Sequence, residues 1–147
     1  MSVCVMSRHH HLTSKSHTQA MFKAKKYDLA LQRYTMAASI AVQRPMWESN
    51  QIMREELATV LSNRSVAFLE AGDLLSALVD AEHVINLKRP WSKGHFRKAK
   101  ALIALREYEE ARDAVNIGLQ FEPKSTVRSR LIPACSLADQ LHLHRRC

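Results

Sequence analysis

A chain of 147 residues suffices for one domain with its own core and is too short for a multidomain enzyme. With three glycines and four prolines it has few turn formers, and with 46% hydrophobic but only 6% aromatic residues it points to helices rather than to a sheet-rich fold. The formal net charge of +8 sits mainly at the ends, +2 over residues 1–20 and +4 over 124–147, leaving +2 for 21–123, so a basic groove for nucleic acid is not expected.

In chain order, residues 1–14 carry Arg8 followed by His9, His10 and His11 and show little helical pattern; a disordered N-terminal segment is expected there. The segment lacks the apolar run of a signal peptide. Nowhere does the sequence approach the ~18 uncharged apolar residues of a membrane span, so no direct membrane insertion is expected. Cys4, Cys135 and Cys147 are odd in number and widely spaced, which is no disulfide framework and suits a reducing, cytoplasmic compartment.

From Phe22 onward the chain repeats itself. FLEAGDLLSALVDAE (Phe68–Glu82) recurs 34 residues later as LIALREYEEARDAVN (Leu102–Asn116), and an earlier copy, FKAKKYDLALQRYTMAA (Phe22–Ala38), stands 47 residues upstream of the second. Thirteen extra residues therefore separate the first two copies. Apolar residues at steps of three and four on both sides of a short polar break make each copy two helices. The breaks are Lys25–Asp28, Ala71–Leu74 and Arg106–Glu109. Small residues mark the close approaches: Ala30, Ala77 and Ala111 on the second helices face Thr18, Ser65 and Ala99 on the first. Tyr27, Tyr34 and Tyr108 recur at repeat positions and are read as core. Pro90 and Pro123 follow the ends of units two and three. In the insertion, Pro45 should stop one helix and leave Met46 and Trp47 on a loop, with Trp47 either a buried staple or an exposed anchor. A helix longer than a plain repeat allows should then run over about 51–70. Residues 124–147, interrupted by Pro133, read as a tail or partial capping helix, with a helical pattern only over 136–145.

The period, the helix-turn-helix units and the mid-helix alanines resemble the tetratricopeptide repeat (TPR) family over about 15–123. The resemblance implies an all-α fold, antiparallel helix pairs stacked as a superhelix of three repeats, whose first helices line a concave face. On that face Lys93 and Arg97 are four apart and share a side of one helix, with Lys100 a further turn along. Asn63 precedes Arg97 by one period, and the frame carried back through the insertion adds Lys15 and Gln19. SNRS at Ser62–Ser65 and KGHFRK at Lys93–Lys98 resemble the carboxylate clamp of TPR co-chaperones, with Gln19 where that pattern has asparagine. The clamp implies a partner: the C-terminal peptide of cytosolic Hsp70 or Hsp90, ending Glu-Glu-Val-Asp. A terminal carboxylate beside an Asp side chain calls for ammonium, guanidinium and amide donors. Lys93 and Arg97 are expected to be exposed, whereas Arg64 and Lys98, one residue along, should pair with acids such as Asp80 and Glu82.

AVQRPMWES, REELATVLSNRS and DAEHVINLKRPWSKGHFRKAKAL further resemble the small cytosolic TPR subunits of the fungal post-translational translocon. That implies translocon subunits as partners and a peripheral place at the cytosolic face of the endoplasmic reticulum. The function expected is a noncatalytic adaptor; the alternative is a structural scaffold with an empty groove. No catalytic constellation, phosphate loop, cofactor or metal site is expected. His9, His10, His11, His17 and Cys4 match no known ligand spacing, as is true of His142, His144 and Cys147, and Cys135 has no period-matched His or acid.

Overall fold

The computed structural model describes residues 18–43, 50–126, 131 and 133. Among these lie six helices, with Leu131 and Pro133 helical beyond them, and no strand: α1 (18–23), α2 (Tyr27–Val42), α3 (Asn50–Ala71), α4 (Leu74–Leu87), α5 (Ser92–Leu105) and α6 (Tyr108–Phe121). Each helix from α2 onward packs on the next, and α3 also touches α5, so first helices of successive pairs stand side by side. The segments expected at 1–14, in the Pro45–Trp47 insertion and over 136–145 lie outside the described residues.

The three breaks have one geometry. Lys25, Gly72 and Arg106 take left-handed backbone, with φ of 59°, 90° and 68°. Each donates its N–H three residues back, to Phe22, Leu69 and Ile103, while the next residue donates five back, to Met21, Phe68 and Leu102. This paired closure satisfies the last carbonyls of a helix and reverses the chain. Glycine occupies the position only once; Lys25 and Arg106 adopt it without glycine's freedom. The spacing of the three, 47 and then 34 residues, is that of the sequence copies.

Asp73 opens α4 by accepting the Ser76 backbone N–H at 3.2 Å. The Ser76 hydroxyl, together with that backbone bond, holds the Asp73 carboxyl below the usual carboxylate range. A lowered value means that the stabilisation is present at neutral pH and is lost as pH falls through the lowered value. Asp73→Ala is therefore expected to lower the thermal midpoint at pH 7, and the gap between the two proteins to close in acid. A gap independent of pH would exclude the charged cap.

Small residues do bring the pairs together. Thr18 and Ala30, Ser65 and Ala77, and Ala99 and Ala111 are all buried, and the Ser65 hydroxyl donates to the Ala77 carbonyl at 2.8 Å. Gly118 takes this further, since a Cβ there would lie 2.7 Å from Phe96 Cε1. Of the repeat tyrosines Tyr34 is buried, with its hydroxyl pKa pushed up by burial, whereas Tyr27 and Tyr108 are half-buried; Tyr27 meets Phe22 edge-on with ring centres 5.6 Å apart.

The apolar interior has two parts. One gathers Ala30, Tyr34, Ala58, Leu61 and Val84, with Trp91 packed against it; the other gathers Phe96, Leu102, Ala111, Val115 and Leu131. Leu131 and Pro133 are helical and Leu131 is buried, so chain beyond Pro123 packs on α5 and α6 ahead of the stretch over which the sequence suggests a helix. The α3 helix has 22 residues against 14 in α5, as the insertion leads one to expect.

Candidate functional site

Repeat position 63/97 and its successor 64/98 go opposite ways. Arg64 Nε and Nη2 each lie 2.7 Å from an oxygen of Asp80, a two-pronged bond from α3 to α4. The Asp80 hydrogen bond raises the guanidinium pKa above its ordinary value, more than burial lowers it. One period later Lys98 Nζ reaches Glu82 Oε1 at 3.0 Å, tying α5 to the same α4. The expectation that these two cations serve as inter-helix partners of Asp80 and Glu82 holds.

The other set remains without acids among the described residues. Asn63 on α3 and Arg97 on α5 are half-buried, Lys93 and Lys100 on α5 are exposed, and Gln19 on α1 is exposed; Lys15 lies outside the described residues. Contact between α3 and α5 sets the Asn63 and Arg97 helices side by side.

Arg97 corrects the sequence reading. It was expected to be exposed, but its Nε is wholly buried with no hydrogen-bond partner, and burial pushes its pKa below the ordinary arginine value. Helical phase gives the direction of a side chain, not the depth of the wall around it. A buried guanidinium nitrogen without a partner costs free energy unless a ligand satisfies it. Lys93, one turn earlier, lies with Nζ 5.7 Å from the centre of the Trp91 ring, and Lys88 approaches the same ring at 5.7 Å. This lysine-flanked tryptophan was not read from the sequence. The run KRPWSK, with cations on both sides of one aromatic, was the available signal. The arrangement offers guanidinium, ammonium and amide donors to an anion. Among the described residues no three metal-capable side chains cluster, and no helix is long and apolar enough to cross a membrane.

No protein-family model matches the sequence. The chain is 38% identical over 98 residues to the ER protein translocation subcomplex subunit sec67 of Schizosaccharomyces pombe, a match spanning 67% of this chain and 51% of that protein. It therefore spans about half the length of that relative. The first TPR domain of Spaghetti (RPAP3), solved with the HSP90 peptide SRMEEVD, superposes with a TM-score of 0.71 at 24% identity, covering 86% of this chain and 90% of that one. A chain of the Sec complex from S. cerevisiae superposes with a TM-score of 0.68 at 27% identity over 88% of this chain and 69% of that one. With its 34-residue frame built as stacked helix pairs, the chain belongs to the tetratricopeptide repeat proteins, and among them it is similar to sec67.

Proposed function

We propose that this chain is a noncatalytic adaptor whose first-helix face captures the acidic C-terminal tail, of Glu-Glu-Val-Asp type, of a cytosolic Hsp70 or Hsp90 chaperone, in support of post-translational translocation into the endoplasmic reticulum. The observation that carries this reading is the buried, unpartnered Arg97 Nε, on a helix whose neighbouring cation Lys98 already has its acid. Lys93, Asn63, Lys100 and Gln19, with Lys15 ahead of them, complete the proposed set. Each charge-assisted bond contributes about 1.5–3 kcal/mol; four or five, offset by ordering the tail, give an affinity near micromolar, about −8 kcal/mol. The likeness to sec67 and to the Sec complex chain supports other translocon subunits as further partners, held at the cytosolic face of that membrane.

The test separates capture from structure. Arg97→Met keeps an apolar stem and removes the buried charge, so the thermal midpoint is expected to hold or rise. Affinity for a free-carboxylate Glu-Glu-Val-Asp peptide should fall by about 1.5–3 kcal/mol. Calorimetric titration reads both that loss and the weaker binding of the C-terminal amide to the native chain. Equal binding of acid and amide would exclude carboxylate capture. It would favour the scaffold reading, which draws on Met36, Ile40 and Leu75, all more than half exposed on the second helices α2 and α4.

A further inference from the structure

The α3 helix begins at Asn50 although Ala58 is the frame equivalent of Ser92, where α5 begins, so eight residues of α3 project beyond the repeat. Eight residues make about 12 Å of helix. These turns and the α4–α5 loop enclose an open cleft of about 400 Å³, lined by Arg54 and Glu55 from α3 and by Lys88, Arg89 and Pro90 from the loop. Among the described residues its one acid is already engaged, with Glu55 Oε1 3.6 Å from Lys88 Nζ. Arg54 and Arg89 are exposed and have no acid partner among the described residues. Among the described residues the cleft therefore carries an uncompensated positive charge.

The loop that supplies Lys88 and Arg89 is held in shape. The Trp91 N–H donates to the Lys88 carbonyl at 3.0 Å, and His95 Nε2–H donates to the Arg89 carbonyl at 3.0 Å. His95 is itself buried and stacked on Phe121 with ring centres 5.6 Å apart. The cleft also adjoins the proposed clamp through one ring, because Lys88 on the cleft side and Lys93 on the clamp side both lie over Trp91.

We infer that this cleft is a second anion subsite, which takes acidic side chains of the same tail upstream of its terminal carboxylate. The inference rests on the proposed carboxylate capture and adds what that reading does not require, a preference for the sequence preceding the last residues. Nine residues of α3 separate Asn63 from Arg54, about 13 Å of helix, which an extended peptide crosses in about four residues. The acids read would then stand beyond the fourth residue from the tail's end. Attraction between exposed charges is weak for each pair and fades with salt, so the subsite tunes selection among tails rather than supplying the bulk of affinity.

The experiment uses the full chain and two ten-residue peptides ending Glu-Glu-Val-Asp, one with three glutamates and one with three glutamines immediately upstream. At low salt the native chain is expected to favour the glutamate peptide about fivefold. Arg54→Glu with Arg89→Glu should abolish that preference, with helicity unchanged by circular dichroism because both side chains are exposed. The inference is overturned by equal binding of both peptides to the native chain, by a preference that survives in the double variant, or by binding of neither peptide. Amidated peptides distinguish the two sites: amidation that abolishes binding without any glutamate preference leaves the clamp and removes the cleft. A preference that persists after harmless amidation leaves the cleft and removes the clamp.

Discussion

Asp80→Ala is expected to destabilise the protein by about 2–4 kcal/mol, because it leaves one side of a largely buried ion pair without the other. The Asp80 side chain is 4% exposed and that of Arg64 19%. Without the carboxylate the guanidinium keeps only a long contact to Thr35 Oγ1 at 3.4 Å and the Phe68 ring 5.7 Å away, neither of which returns the lost hydrogen bonds. Arg64→Ala should cost a similar amount for the converse reason, a carboxylate confined away from water. The double replacement Arg64→Met with Asp80→Leu should recover much of the loss, since apolar side chains of similar volume carry no desolvation cost. Denaturant titration of the native chain, the two alanine variants and the double alanine variant gives the coupling between the two residues. If both single variants lie within about 0.5 kcal/mol of the native chain, the pair does not fasten α3 to α4.

The second large effect belongs to the helix contacts. Ala77→Leu and Ala111→Leu should each cost about 1–3 kcal/mol by overpacking. Neither alanine has any exposed surface. At Ala77 the approach is fixed by the 2.8 Å bond from the Ser65 hydroxyl to its carbonyl, so the larger side chain must break that bond or push the helices apart. The two sites lie in different pairs, and their effects should add to within about 0.5 kcal/mol. Ala104→Leu, at an exposed position of α5, is the control and should be near neutral. Melting temperatures close to native for both buried variants would contradict the helix pairing and, with it, the placing of Asn63 beside Arg97.

The pairing was legible because close packing leaves a chemical trace: Thr, Ser and Ala recur where first and second helices meet, at intervals set by the repeat. The fate of Arg64 and Lys98 was legible too, since a cation one residue off the groove face turns toward α4, where the sequence supplies Asp80 and Glu82. Other features leave no such trace. Lys25 and Arg106 hold left-handed backbone without glycine, because the closing hydrogen bonds outweigh a modest steric cost. The depth of Arg97 was missed for a different reason: burial depends on which surfaces close over a side chain, and helical periodicity carries no measure of that distance. The cation-rich cleft escaped as well, since Arg54 and Arg89 meet only after α4 has brought the chain back.

Division of the interior into two apolar clusters bears on how the molecule opens. Val84 and Leu87 of α4 belong with the first, whereas Leu78 of the same helix packs on the second, so α4 joins two apolar units rather than forming the centre of one. In such linear arrays, local opening of one unit can leave its neighbour folded. Asn63 stands on a helix of the first unit and Arg97 on a helix of the second. A tail bound across both would act as a staple between them, suppressing the opening of either and slowing amide exchange in α3 and α5 together.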